Sequence, residues 1–161
     1  MKIVFLFPEK LRPRELEAPE ALYFKRLKSM GPFESLHYKE ERIDNRQPNE
    51  VKASEAKRIQ KHLKDDDYVV ACDEHGEQLS TEKLKDLLNS GLNAEGPFSG
   101  KKRLVFIIGG ALGLDQSILK RANKKIALSK LTLAGALARV ILLEAVYRAM
   151  TIVQGHPYHN S

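Results

Sequence analysis

Apolar and polar positions along this chain change period repeatedly, and each change marks an element. Lys2 to Phe7, KIVFLF, is a nearly unbroken apolar run and predicts a buried strand. A polar loop with Pro8 and Pro13 follows, then an amphipathic helix from about Glu15 to Met30, closed by Gly31-Pro32. Phe33 to Glu40 alternates like a second, less buried strand. After the loop RIDNRQPNE, the stretch EVKASEAKRIQKHLK predicts a solvated helix with apolar positions at Val51, Ala56, Ile59 and Leu63. Tyr68 to Asp73 is a buried strand, EHGEQLS reads as a turn, and Ser80 is spaced to cap a helix running to about Ser90.

The glycine-containing excursion GLNAEGPFSGKK leads into RLVFII, a fourth strand, and then into the glycines of GGALG. Asp115 can cap a short helix, KKIALS is a fifth strand, and KLTLAG is a loop. A long helix from about Ala136 to Val153 ends at Gly155. Strands alternating with helices predict a single α/β domain over residues 1–161, with a mainly parallel sheet flanked by helices. The last helix is apolar on more than one stripe, through Leu137, Val140, Ile141, Leu142, Leu143, Val146, Met150 and Val153. Only Arg139, Glu144 and Arg148 interrupt it, so burial on two sides is expected, by its own sheet and by a second subunit.

Composition narrows the class. Apolar residues make up 42% and charged residues 30%, the balance of a globular protein rather than a disordered one. No run approaches the roughly 20 apolar residues of a membrane helix, and MKIVFLFPEKLRPRE reads as a first strand rather than a signal peptide. Cys72 is the only cysteine, which excludes a disulfide framework and a cysteine-rich metal site. No His, Cys or Asp spacing suggests a metal, and a cytoplasmic protein is expected. The net charge of +6 suits a polyanionic partner such as RNA, and equally a soluble surface that is merely basic.

The glycines after the fourth strand are the first candidate for chemistry. They lack the G-x-G-x-x-G spacing of a dinucleotide loop, and no Lys-Ser or Lys-Thr follows Gly113 as in a P-loop. A tight turn at the carboxyl end of a central strand remains, where α/β proteins bind ligands. Without side chains, Gly109 and Gly110 let the backbone approach a flat ligand such as adenosine. A plain strand-to-helix turn is the alternative.

Three further segments follow in order: ALSKLTL (Ala127 to Leu133), VYRA within the last helix, and Pro-Tyr-His near the end. Together with the GGxxGL turn they resemble the RlmH family of SPOUT methyltransferases, which methylate N3 of a pseudouridine in large-subunit ribosomal RNA. The resemblance covers nearly the whole chain. It implies a SPOUT-type fold with a C-terminal trefoil knot and a homodimer formed through the last helix. It also implies S-adenosyl-L-methionine held between three loops: at Cys72, at Gly109 and Gly110, and at Leu128, Ser129, Lys130, Leu131, Thr132 and Leu133. One departure stands out. The family usually carries Pro-His where this chain has Ala134-Gly135, so an imidazole that can line the pocket is missing.

Read alone, Arg148 is either a salt bridge to Glu144 one turn earlier or an active-site guanidinium. The resemblance weights it, with His159, towards catalysis. Tyr158 and His156 are then substrate-binding residues, since a Tyr-His tail can stack on an extruded base and bond its edge. Asp73, Glu74 and His75 read as a solvated turn, with Glu74 or His75 bordering the substrate as the other possibility. The implied partners are ribosomal RNA or the ribosome. A non-catalytic ribosome- or RNA-binding protein of the same fold is the reading from another class.

Overall fold

The computed structural model describes residues 1–9 and 12–159. Five strands form one parallel sheet: β1 (Lys2–Pro8), β2 (Phe33–Tyr38), β3 (Asp67–Gln78), β4 (Arg103–Ile108) and β5 (Lys124–Ala127), in the order β2-β1-β4-β3-β5. Both faces of the sheet are covered, which is why β1 reads as a continuous apolar run. Ile3, Phe5 and Phe7 enter one core, and Val4 and Leu6 enter the other. The helices α1 (Glu17–Lys28), α3 (Thr81–Leu92) and α5 (Gly135–Val153) pack among themselves on the first face. On the second face, α2 (Pro48–Gln60) packs with α4 (Gln116–Arg121).

Local signals set most of these boundaries. Ser80 accepts a hydrogen bond from the Lys83 N–H at 3.2 Å and starts α3. Asp115 accepts one from the Ser117 N–H at 2.8 Å and starts α4. Pro48 sits in the first turn of α2, where its missing N–H costs nothing. At the amino end of the sheet, Arg103 donates two hydrogen bonds, at 2.7 and 2.6 Å, to the fully buried Asp67 carboxylate. That bidentate pair ties β3 to β4.

Two expectations are corrected. The segment EHGEQLS is not simply a turn: β3 runs on to Gln78, after a break in register at which both Cys72 and Glu77 face Ile126. A Cβ on Gly76 would lie 2.5 Å from the Ile126 carbonyl carbon, so only glycine lets the two backbones approach this closely. The residues between the two pairings, Asp73 to Gly76, bulge out of the ladder.

The second correction concerns Arg139. It does not interrupt an outer face of α5 but is 3% exposed on the sheet side. Its guanidinium lies 4.8 Å from the Phe7 ring centroid, donates to the Pro8 carbonyl at 2.9 Å and pairs with Glu20 at 2.6 Å. Burial of this charge is offset by the Glu20 partner 119 residues away in sequence. On the remaining surface of α5, Leu137 is exposed and Val140 and Ile141 are half-buried.

Candidate functional site

Three strand ends lie level with one another. Cys72 is paired in register with Ile108 of β4 and with Ile126 of β5. The loops that leave these ends therefore rise side by side from the carboxyl edge of the sheet, the edge at which open α/β sheets bind ligands. Between them is a cavity of about 720 Å³. Small-molecule sites occupy roughly 300–1,000 Å³.

The first wall is the β3 bulge, with Cys72, Asp73, Glu74 and His75. The Asp73 carboxylate accepts the His75 N–H at 3.0 Å and lies 3.3 Å from its Nδ1, which turns the imidazole towards Asp73. Enclosure by the strand ends pushes the Cys72 thiol up to about 12, so it stays protonated and serves as an apolar wall.

The second wall is the glycine turn, Ile108 to Leu114. The Gly113 N–H donates to the Gly110 carbonyl at 2.9 Å and closes it. Gly113 has a φ of +81°, a left-handed conformation natural to glycine. The other two glycines answer to the protein itself. A Cβ on Gly109 would lie 2.8 Å from the Gly113 carbonyl carbon, and one on Gly110 would lie 2.7 Å from the Glu55 carboxylate. Their missing side chains let the turn fold tightly onto itself and onto α2, with its backbone facing the cavity. Behind the turn, the Tyr38 hydroxyl donates to the Ile108 carbonyl at 3.2 Å. Glu55 is buried and accepts the Glu41 N–H at 3.0 Å.

The third wall is the loop after β5, with Leu128, Ser129, Leu131, Thr132, Leu133, Ala134 and Gly135. The Ser129 hydroxyl accepts the Leu131 N–H at 2.9 Å, and Thr132 Oγ1 donates to Glu74 at 3.4 Å, bridging the first wall to the third. Leu131 is 76% exposed, an apolar side chain standing open at the rim. A Cβ on Gly135 would meet nothing within 4 Å, so the departure Ala134-Gly135 leaves open space where a side chain fits.

Eight of the nine expected loop residues thus line one cavity: Cys72, Gly109, Gly110, Leu128, Ser129, Leu131, Thr132 and Leu133. Lys130 is exposed and is not part of the lining. Lys52, Asp73 and Lys125 join the wall without having been singled out by motif. For Lys52 the helical spacing of α2 carried no hint of it.

Arg148, His156, Tyr158 and His159 are not brought to this cavity within the chain. Ala138, near the start of α5, lines it, whereas Arg148 lies ten residues further on, about 15 Å along a helix. There Arg148 forms the ion pair with Glu144, at 2.5 Å, and covers the Tyr158 ring at 5.0 Å from its centroid. Tyr158 packs edge-on against Tyr147, with centroids 4.7 Å apart. A hydrogen bond with Tyr23, together with burial, pushes the Tyr158 phenol up to about 12, so it remains neutral. His159 Nδ1 is buried without a hydrogen-bond partner among the described residues, and His156 is exposed. Among the described residues no helix is long and apolar enough to cross a membrane, and no group of His, Cys, Asp and Glu forms a metal cluster.

Comparison with known proteins agrees with this geometry. A family model described as "Predicted SPOUT methyltransferase" matches residues 1–159. The chain is 40% identical to a Bifidobacterium adolescentis protein named ribosomal RNA large subunit methyltransferase H, over 99% of this chain and all of that one. Proteins of the same name from Clostridium kluyveri and Clostridium botulinum are 37% and 36% identical, again over 99% of this chain and their full lengths. With three level strand ends, a glycine turn and a family match along nearly its whole length, the chain belongs to the SPOUT methyltransferases.

Proposed function

We propose that this protein transfers a methyl group from S-adenosyl-L-methionine to N3 of a pseudouridine in large-subunit (23S) ribosomal RNA. The observation that carries this reading is the cavity at the carboxyl ends of β3, β4 and β5, together with the family to which the chain belongs. The names of the relatives favour an RNA-modifying enzyme over a binding protein that has lost its chemistry.

The lining suits the donor. Leu114, Leu119, Leu128, Leu131 and Leu133 offer apolar surface for a purine, and the open backbone of the glycine turn offers edge hydrogen bonds. Asp73, Glu74, Ser129 and Thr132 supply acceptors and hydroxyls for a ribose and an amino-acid tail. When bound, the donor supplies an electrophilic methyl on a sulfonium whose sulfur departs as a neutral thioether. The protein's part is to hold the RNA base in line with it, and positioning of this kind supplies most of the acceleration.

The uracil-type N3–H must also be lost. The unpartnered Nδ1 of His159 is the group we assign to that proton, and Arg148 the group that stabilises the anionic ring. The roughly 15 Å along α5 between the cavity and Arg148 then requires a second chain. Two copies of α5 packed antiparallel would bring one copy's Arg148 and Tyr158 to the other's cavity. The exposed Leu137 and half-buried Val140 and Ile141 give that pairing an apolar face. The reading also carries the family's C-terminal trefoil knot, supported by the convergence of three loops on one cavity.

Calorimetry with S-adenosyl-L-methionine, followed by mass mapping of ribosomal RNA after incubation of undermethylated large subunits with the protein and donor, tests the reading. One methyl on one pseudouridine is expected. No donor binding at millimolar concentration would refute it.

A further inference from the structure

The aromatic cluster at the carboxyl end of α5 holds a second guanidinium that the proposed reaction does not use. Arg26, in the last turn of α1, has its Cζ 5.5 Å from the Tyr23 ring centroid and 5.5 Å from that of Tyr147. Tyr23 and Tyr147 are themselves in contact, with centroids 6.0 Å apart. Tyr147 meets Tyr158, and Tyr158 lies beneath Arg148. Arg26, Tyr147, Tyr158 and Arg148 thus form one continuous ladder, with a cation at each end and two rings between.

The two cations differ in their partners. Arg148 is held by an ion pair to Glu144. Arg26 has no carboxylate within ion-pair distance among the described residues; its guanidinium meets the two rings. A cation in the last turn of α1 is favourable to the helix dipole, but Lys25 and Lys28 already meet that need from exposed positions. Two tyrosine rings flank the Arg26 guanidinium, and none of its N–H groups has a hydrogen-bond acceptor among the described residues. A pre-oriented planar cation with its N–H edge available matches a phosphate diester, which it can grip with two parallel hydrogen bonds. The neighbouring rings offer stacking surface to an unpaired base.

We propose that Arg26 is a substrate-binding residue that grips a backbone phosphate of the RNA strand beside the target nucleotide, with Tyr23 and Tyr147 orienting it. This assignment rests on the RNA-methyltransferase reading above. The ladder would then present a cation at each end and two rings between them to one strand.

The test uses the full chain and its Arg26→Ala and Arg26→Lys variants, with undermethylated large ribosomal subunits as substrate. Initial rates are measured against subunit concentration at several KCl concentrations, and donor affinity is measured by calorimetry. Arg26→Ala should raise KM for subunits about tenfold and lower the slope of log KM against log salt by about one, as loss of one phosphate contact requires. Its kcat and donor affinity should stay within about twofold of the parent, since Arg26 touches neither the cavity nor the ion pair. Arg26→Lys should keep the salt slope while recovering only part of KM, because an ammonium lacks the bidentate fork. An Arg26→Ala variant with unchanged KM and salt slope overturns the assignment. A loss shared equally by kcat, donor affinity and thermal stability overturns it too, because it would make Arg26 a packing residue of the tail. A parent protein that binds donor but methylates no RNA overturns the function reading and this one together.

Discussion

Glu55 holds its carboxylate against the glycine turn so closely that a methyl group on Gly110 would stand 2.7 Å from its Oε2 and 2.9 Å from its Oε1. Glu55 is buried and anchored by the Glu41 N–H, so it cannot retreat without giving up that hydrogen bond. Gly110→Ala should therefore destabilise the protein by about 1–2 kcal/mol, the usual cost of overpacking, and weaken donor binding by disturbing the turn. Adding Glu55→Ala should recover part of both losses, giving a double variant better than the sum of its parts. Gly109→Ala collides with the backbone of Gly113 and Leu114 instead, so Glu55→Ala should not rescue it. Urea denaturation and calorimetry on the five variants, Glu55→Ala alone included, and on the parent check the ordering.

Much of this arrangement is legible in the residues themselves, and the division has a physical basis. The strands announce themselves through runs such as KIVFLF and RLVFII because both sheet faces are buried. Ser80 and Asp115 mark helix starts because capping is a local bond. What escapes local reading depends on partners far along the chain. The continuation of β3 through polar residues depends on Gly76 fitting Ile126, and the burial of Arg139 depends on Glu20. Glu55 reads as one more polar position on a solvated helix, since nothing near it in sequence says that a glycine turn will close over it. The cavity loops were recognisable as motifs, whereas their distance from Arg148 appears only once α5 is laid out as a rod.

Glu55 also carries a pH signature. Burial first, and then the nearby Glu40 and Glu41 charges, hold its carboxyl above the usual range, against the opposing Glu41 N–H and Arg58. A carboxyl whose folded pKa exceeds its unfolded value binds its proton more tightly in the folded state. Its contribution to stability is therefore complete below the unfolded value, about 4.3, and declines as pH rises from there through the raised folded value. Glu55→Gln removes that decline while keeping an acceptor for the Glu41 N–H. The stability difference in favour of Gln should be small near pH 4, grow as pH rises, and level off above the raised folded value. Denaturation curves of the two proteins across that range measure it directly, and a difference independent of pH would remove the inference about Glu55.

The separation of the cavity from Arg148 makes the strongest prediction for the assembly. If one chain supplied a whole site, a variant with a blocked cavity and a variant without Arg148 would stay inactive when mixed. If the site is shared across a two-fold axis, a mixed dimer of the two contains one site whose cavity and arginine are both intact. Gly135→Trp is suited to the first defect, because its Cβ meets no neighbour and the added ring has the open cavity to fill. Arg148→Ala supplies the second, and loses the Glu144 pair without exposing the core. Each alone should fall at least about a hundredfold in methyl transfer, as expected when a group that stabilises developing charge, or the donor site itself, is removed. Equal amounts mixed, unfolded together and refolded form mixed dimers in about half the population by random pairing. With one working site in each, about a quarter of parental activity should return. Activity that stays at the level of the separate variants, with mixed dimers verified by mass spectrometry, would place the chemistry within a single chain.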